Sequence, residues 1–170
     1  MVLLVITGTM GAGKSTVLAE ASDILAMRKI PHAKIDLDAL GGAYLPAGVE
    51  DNAAMYENLA SISQNYARLG LTRFLVARAV ENRTELDRCC QAVGATQTVV
   101  CRLIASNETM RARVAEREQG MLRQDFIQRV AILSEILERA NLEDFSITTE
   151  NMPVSDVARE MLVRARWISG

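Results

Sequence analysis

Hydrophobic and polar residues follow one another along this chain in blocks that switch between the period of a strand and the period of a helix. The chain opens on MVLLVIT, a continuous apolar run typical of a strand covered on both faces. Val17, Leu18, Ala21 and Leu25 then recur at helical spacing until Pro31. HAKIDLDAL follows as a short predicted strand, and GGAYLPAGVED as a loop. The pattern therefore begins as strand, helix, strand.

The same alternation continues to the end of the chain. We expect Ser106 or Asn107 to cap one of the later helices and Pro153 to start the last one. Strands that alternate with helices imply right-handed crossovers and a parallel sheet of about five strands between two helical layers. The predicted helices are NAAMYENLASISQNYARLG, RTELDRCCQAVG, SNETMRARVAERE, QDFIQRVAILSEILERANLED and PVSDVAREMLVRARW, and the remaining predicted strands are TRFLVARAV, TQTVVCRLIA and FSITT.

Length and composition place these elements in one domain. The chain has 170 residues, 49% of them hydrophobic, which is enough for one substantial core and too short for two. We therefore predict a single domain over residues 1–170. The first apolar run has no basic segment before it and no cleavage-like site after it, so we interpret it as a buried strand and not as a signal peptide or a membrane span.

The segment GTMGAGKST, residues 8–16, joins the first strand to the first helix and matches G-x-x-x-x-G-K-[ST]. Its glycines permit a tight wrap around a phosphate, and the helix that follows turns its N-terminus toward the anion. Lys14 would reach the β- and γ-phosphates, and the Ser15 hydroxyl would bind Mg²⁺. A dinucleotide turn, whose order is G-x-G-x-x-G, and a plain strand-to-helix turn fit less well. The predicted nucleotide-binding residues of the loop are Gly11, Ala12, Gly13, Lys14, Ser15 and Thr16.

Two carboxylates follow the second predicted strand, at the sheet edge where ligands of open α/β folds bind. In an extended segment Asp36 and Asp38 would face the same way. Asp36 could bind a water on the magnesium ion, and Asp38 could accept the proton of an attacking hydroxyl. The alternative is a pair of solvated acids that caps the next segment. The sequence contains no N-K-x-D guanine signature.

These motifs, together with the arginines of MRARVAER, resemble the small P-loop kinases of the nucleoside-monophosphate-kinase-like group. Shikimate kinase, adenylylsulfate kinase, gluconate kinase and chloramphenicol phosphotransferase are nearest in kind. The resemblance implies a P-loop NTPase three-layer αβα sandwich with a short helical lid, at about residues 114–126. It also implies ATP and Mg²⁺ as cofactors and transfer of the γ-phosphate to a hydroxyl of a small molecule. Matched to the group, Asp36 becomes the magnesium-side acid, and the catalytic residues are Lys14, Asp38 and Arg117.

The downstream arginines carry further roles by the same resemblance. Arg113 would stack on adenine and Arg117 would reach the transferred phosphate, whereas the alternative is a solvated, charged helix. EQGMLRQ would form the tip of the lid, with Gly120 as its hinge and Arg123 as a charge that could help it close. The loop TTENMP would contact the base near Thr149 and Asn151, or else be an ordinary connection.

The acceptor side is predicted around Asp38, Tyr44 and Arg78. Arg73 stands at the start of the predicted strand TRFLVARAV, and Arg78 is the one cation inside its otherwise apolar part, so burial would demand an anionic partner or an anionic substrate. A structural ion pair of Arg78 with Glu81 or Glu57 is the alternative. The chain departs from the acceptor-binding patterns of the named kinases, and the identity of the acceptor stays open.

Charge and cysteine content limit the binding partners and the cellular compartment that we expect for this protein. The net charge is −2 and the basic residues are scattered, so nucleic acid is not an expected partner and a polynucleotide 5′-hydroxyl kinase is disfavoured. The three cysteines have no C-x-x-C spacing, which indicates reduced thiols and a cytoplasmic protein. The expected partners are ATP or ADP and a small-molecule acceptor, with no membrane contact. The rival interpretation is a nucleotide-binding regulatory or sensor protein.

Overall fold

The computed structural model describes residues 1–43, 45–47 and 52–169. The strands are β1 (Val2–Thr7), β2 (Ala33–Asp36), β3 (Arg73–Ala77), β4 (Gln97–Ile104) and β5 (Phe145–Thr148). The helices are α1 (Lys14–Met27), α2 (Leu37–Leu40), α3 (Ala53–Arg68), α4 (Arg83–Val93), α5 (Asn107–Arg117), α6 (Arg123–Ala140) and α7 (Val154–Arg164).

All described strands pair in parallel in one sheet, in the order β2-β3-β1-β4-β5. The central strand β1 pairs on both sides, with Val2 opposite Arg73 of β3 and opposite Gln97 of β4. Parallel strands present their carboxyl ends along one edge, and the chain leaves β1 toward one half of the sheet and β3 toward the other. This reversal opens a crevice at the carboxyl edge beside β1, which is where α/β folds bind ligands.

Apolar side chains cover both faces of the sheet. Leu3 and Val5 of β1 belong to the cluster on the side of α3 and α4, and Leu4 and Ile6 belong to the cluster on the side of α1 and α7. All four are completely buried. Burying each such side chain contributes about 1.5–3 kcal/mol before entropy is subtracted. The predicted three-layer αβα sandwich is confirmed, and β1 forms its rigid centre.

Local hydrogen bonds explain where the helices begin. The Ser106 hydroxyl accepts from Thr109 N at 3.2 Å, so Ser106 is the cap of α5. Asn82 caps α4 in the same way, through Glu85 N at 3.0 Å. Gly94 ends α4 with a φ of 67°. No helix in the described ranges combines the length and the apolar character needed to span a bilayer.

Two sequence predictions need correction at the carboxyl edge. HAKIDLDAL is not extended throughout, because the Asp36 side chain accepts from Asp38 N at 3.2 Å and starts the one-turn helix α2. Asp38 therefore lies in a helix and not two positions along a strand. The third predicted strand ends at Ala77, so Arg78 follows the strand and is not inside it.

Candidate functional site

The glycine-rich loop between β1 and α1 lies against the start of α5. At Gly11, where φ is 78°, an added Cβ would stand 2.4 Å from the backbone oxygen of Met110. Gly13 has a φ of 97° and stands directly before α1. Because both positions need positive φ, glycine is the residue that lets the loop wrap there. The helix N-terminus and its free N–H groups end at this loop, as an anion site requires.

Lys14 is the first residue of α1, and its Nζ donates to Thr9 O at 3.2 Å. This bond folds the lysine back over the loop. Burial lowers the pKa of the Lys14 ammonium, while the nearby charges of Asp38 and Asp36 act in the opposite direction. The lysine thus lies between the loop and the carboxylates of Asp36 and Asp38, the D-x-D segment.

Asp36 uses both carboxylate oxygens within the fold. Oδ2 accepts from Ser15 Oγ at 2.6 Å, and Oδ1 accepts from Asp38 N at 3.2 Å. One carboxylate therefore connects the loop to the turn that carries Asp38. The described residues contain no group of three or more His, Cys, Asp or Glu arranged for a metal. A hydroxyl and a carboxylate together suit Mg²⁺, which in nucleotide sites takes its other ligands from phosphates and water.

Asp38 and Arg78 form an ion pair at the acceptor side of the loop. Arg78 Nη1 lies 2.7 Å from Asp38 Oδ1, and Arg78 Nη2 donates to Asn52 Oδ1 at 3.2 Å. The alternative of an ion pair for Arg78 is thus seen, but with Asp38 as the partner and not with Glu81 or Glu57. The carboxylate of Glu81 is 3.4 Å from Arg129 instead. Asp38 follows β2 and Arg78 follows β3, and these two strands are neighbours in the sheet, so the two side chains meet at its carboxyl edge.

The three residues predicted to be catalytic line one cavity of about 100 Å³ above the loop. Arg117 is the last residue of α5, and its Nε donates to Glu118 Oε1 at 2.8 Å. The Arg117 side chain is largely exposed, and among the described residues its ion pair is this local one with Glu118. The residues that line the cavity are Met10, Gly11, Gly13, Lys14, Ser15, Thr16, Asp38 and Arg117.

Arg113 is fastened to the backbone on both sides of a second cavity, of about 220 Å³. Its Nη1 donates to Gly11 O at 3.2 Å and to Thr149 Oγ1 at 3.0 Å, and its Nη2 donates to Thr149 O at 3.0 Å. The guanidinium thereby joins the phosphate-binding loop to the loop after β5. The cavity is lined by Gly13, Thr16, Val17, Arg113, Thr149, Met152, Val154 and Val157. Ala12, also predicted to bind the nucleotide, is a completely buried residue of the glycine-rich loop.

Other predicted positions lie at or beyond the rim. Asn151 is exposed with a φ of 56° in the loop after β5, and it is absent from the cavity lining. Tyr44 lies outside the described residues. Arg123 was expected near the lid tip, and its Nε donates to Ala115 O at 3.0 Å. This bond ties the first turn of α6 to α5, so residues 118–122 form the connection between the two helices.

Sequence reasoning did not predict the contacts of two residues, Asn52 beside the Asp38–Arg78 pair and Glu150 next to Thr149. Asn52 precedes α3, and its side chain binds Arg78 instead of capping the helix. Glu150 accepts from Ser106 N at 3.0 Å and from Ser106 Oγ at 2.5 Å. These bonds hold the pKa of the Glu150 carboxyl at about 2. An asparagine before a helix suggests a cap, so no sequence signal pointed to Arg78.

Comparison with known proteins identifies the fold. No protein-family model matches the sequence, and no curated protein is significantly similar to it. Among solved structures, a sugar kinase from Janibacter sp. is similar with a TM-score of 0.69 and 19% identity over 96% of this chain and 94% of that one. A gluconokinase from Sinorhizobium meliloti has a TM-score of 0.63 and 20% identity over 96% and 91%. Shikimate kinase from Acinetobacter baumannii, in complex with shikimate, has a TM-score of 0.61 and 17% identity over 97% and 93%.

The chain therefore has the fold of the small P-loop kinases, a five-stranded parallel sheet between helices with a glycine-rich loop after β1. At these identities the likeness establishes the fold and leaves the substrate to be argued from the site.

Proposed function

We propose that this protein is an ATP- and Mg²⁺-dependent phosphotransferase that moves the γ-phosphate to a hydroxyl of a small molecule. One observation carries the proposal: Lys14, Asp38 and Arg117, which are far apart in the chain, line a single cavity above the phosphate-binding loop. A phosphate donor site needs a cation on the phosphates, a proton acceptor and a closing cation, and this cavity combines all three.

The nucleotide would lie across the two cavities. Backbone N–H groups of residues 11–16 would bind the phosphates at the start of α1. The adenine base would enter the larger cavity, which Arg113 and Thr149 both line, with Asn151 nearby on the loop after β5. Ser15 and Asp36 would hold Mg²⁺, which when bound neutralises charge on the β- and γ-phosphates. ATP is the proposed nucleotide, since the sequence has no guanine signature.

Transfer would be carried by the chain's own groups. As the acceptor oxygen attacks the γ-phosphorus, Asp38 takes the hydroxyl proton, and the bond to the β,γ-bridging oxygen breaks with its electron pair leaving on ADP. Lys14 would stabilise the charge that develops on the phosphates. Arg117 would exchange Glu118 for the transferred phosphoryl group, because Arg117 is largely exposed and its present partner is a single carboxylate on the next residue.

Water must be excluded if the phosphate is to reach a hydroxyl. Residues 114–126 would act as the lid, with the exposed connection 118–122 closing over the cavity. Met121 is fully exposed in that connection, with its side chain at 101% relative exposure, and is available for an apolar contact on closure. On the acceptor side we place Asp38, Arg78 and Tyr44. We place the protein in the cytoplasm, because its three cysteines are free thiols.

The structural neighbours guide the choice of acceptors to test. Their names include a sugar kinase, a gluconokinase and a shikimate kinase, all of which imply polyhydroxylated small molecules. A panel of sugars, gluconate, shikimate, adenylylsulfate, nucleosides, hydroxylated antibiotics and a 5′-hydroxyl oligonucleotide would be screened for acceptor-dependent ADP release. The phosphorylated product would be identified by mass spectrometry.

Asp38→Asn tests the assigned chemistry. Loss of a general base typically costs about 10²- to 10⁴-fold in rate, so acceptor phosphorylation should fall by that factor. The dissociation constant for MgATP should stay nearly the same, because among the described residues the Asp38 carboxylate is hydrogen-bonded to Arg78 and not to the backbone of the loop. Asp23→Asn, on an exposed position of α1 away from the cavity, is the matched control. Full activity of Asp38→Asn on an identified acceptor would show that Asp38 is not the base.

A regulatory nucleotide-binding protein is the second candidate. It is favoured by the pairing of both reactive groups, since Arg78 binds Asp38 and Glu118 binds Arg117. Under this candidate MgATP binds tightly and every acceptor in the panel leaves ADP release unchanged.

A further inference from the structure

We propose that Arg78 is a positioning residue for Asp38: with Asn52 as its support, it holds one oxygen of the carboxylate and leaves the other for the acceptor hydroxyl. This inference rests on the proposed function and gives a role to an arginine that could equally have been an anion-binding substrate ligand. Three observations support it: Arg78 is anchored at its backbone, its Nη donors bind Asp38 and Asn52, and Asp38 is held at two points.

The backbone of Arg78 is fixed by the sheet. Directly after β3, Arg78 N donates to Ile6 O at 3.1 Å and so extends the pairing with the central strand by one residue. The side chain is 17% exposed. An arginine anchored at both its backbone and its stem has few other orientations, so its guanidinium serves as a rigid reference point at the carboxyl edge.

The guanidinium donors are directed to two protein acceptors. Nη1 binds Asp38 Oδ1 at 2.7 Å and Nη2 binds Asn52 Oδ1 at 3.2 Å. Nε is buried, and no described residue accepts from it. A buried donor without a partner lowers stability. An arginine at this position is therefore better explained by what it does to Asp38 than by a gain in stability.

Asp38 is held at two points. Its backbone N donates to Asp36 Oδ1, which starts α2, and its Oδ1 accepts from Arg78. Within the described part of the chain no hydrogen bond reaches Asp38 Oδ2, and the side chain is 56% exposed. A carboxylate fixed at one oxygen retains a lone pair on the other in a defined direction, which is what proton transfer from a positioned hydroxyl needs.

The charges around Arg78 argue against an anion-binding role. Asp38 already supplies the negative charge that a largely buried guanidinium requires, so an anionic acceptor is not needed to compensate it. A carboxylated acceptor that bound Arg78 would also have to displace the Asp38 carboxylate from it. Asp38, the general base, would then lose the contact that orients it. The two roles differ in what they change: positioning acts on kcat, and substrate binding acts on KM.

A kinetic double-mutant cycle separates the two roles on the first acceptor identified. Arg78→Gln should lower kcat by up to about 100-fold, as expected for a misplaced reacting group, with KM for the acceptor within about two-fold of wild type. In the Asp38→Asn background the same substitution should cost nothing further, because Arg78 acts only through Asp38. MgATP affinity should not change.

Controls keep the result readable if Arg78→Gln folds poorly. Asn52→Ala is milder and should lower kcat only a few-fold, because it removes the support and leaves the clamp. Arg83→Gln, at an exposed arginine of α4 that pairs with Asp87, is the matched control and should leave kcat unchanged. Arg78→Lys retains the charge and should recover part of the lost kcat.

Two results would overturn the inference. If Arg78→Gln raises KM with kcat unchanged, Arg78 is a substrate ligand. If Arg78→Gln costs as much in the Asp38→Asn background as in the wild type, Arg78 does not act through Asp38. Failure of the proposed function appears differently, as wild-type protein that phosphorylates no acceptor. The clamp is also testable without turnover: the ¹⁵N signal of Arg78 Nη1, which donates to Asp38, should be assigned by its loss in Arg78→Lys, should be exchange-protected, and should lose that protection in Asp38→Ala. Unchanged protection would contradict the clamp.

Discussion

The two glycines at the end of the phosphate-binding loop respond differently to the same substitution, and this difference tests how the loop is packed. Gly11 and Gly13 both have positive φ, at 78° and 97°. An added Cβ at Gly11 meets only backbone, with Met110 O at 2.4 Å and Met110 Cα at 2.9 Å. At Gly13 it meets nothing within 4 Å. The variants Gly11→Ala and Gly13→Ala therefore share the conformational cost and differ in the steric one.

The magnitudes follow from these contacts. A left-handed backbone costs an alanine about 1–2 kcal/mol, which is the expected loss of unfolding free energy for Gly13→Ala. Gly11→Ala adds an overlap that only a movement of the loop or of α5 can relieve, and overpacking of this kind costs about 1–3 kcal/mol more. In a domain of this size about 1 kcal/mol lowers Tm by roughly 2–4 °C. We expect Gly11→Ala to melt well below Gly13→Ala.

The assay is thermal and urea unfolding of both variants without nucleotide, followed by titration with MgATP. Gly13 lines both cavities, so its extra methyl group should weaken MgATP binding although stability falls only moderately. Gly11→Ala should lose more stability than Gly13→Ala. Equal unfolding free energies for the two variants would refute the close packing of the loop against α5, and with it the position assigned to Arg113.

Three further predictions concern groups away from the loop. Arg102→Met should lower the unfolding free energy by about 3 kcal/mol in urea, because it leaves the largely buried Glu143 carboxylate, now 3.2 Å from Arg102, without its cation. The lowered pKa of Glu150, about 2, stabilises the fold at pH values above its unfolded pKa of 4.5 and progressively less as the pH falls toward 2; Glu150→Gln should lack this loss between pH 5 and pH 2 in denaturation midpoints. Burial raises the pKa of Cys89 and of Cys101 to about 12, so neither thiol should react with iodoacetamide at pH 8 until the protein unfolds, as judged by mass spectrometry.

Elements with strong local signals agree between sequence and structure. The first strand, the loop and α1 were predictable because an apolar run, positive-φ glycines and an amphipathic segment each act within a few residues. Ser106 at the cap of α5 is a signal of the same local kind. The D-x-D segment shows the limit of such reasoning. Its apolar alternation predicted an extended strand, but a hydrogen bond from Asp38 N to Asp36 turns the chain into a helical turn.

What the sequence determined by itself is the set of elements and the phosphate-binding motif, because periodicity and turn chemistry are short-range properties. The tertiary structure decided which residues of distant segments lie in contact. Arg78 meets Asp38 across 40 positions and Arg113 meets Gly11 across 102, since the order β2-β3-β1-β4-β5 brings their strand ends together. Hydrophobic periodicity tells which face of a strand is buried but not which strand lies beside it. The pairing that holds Asp38 is therefore a property of the assembled sheet.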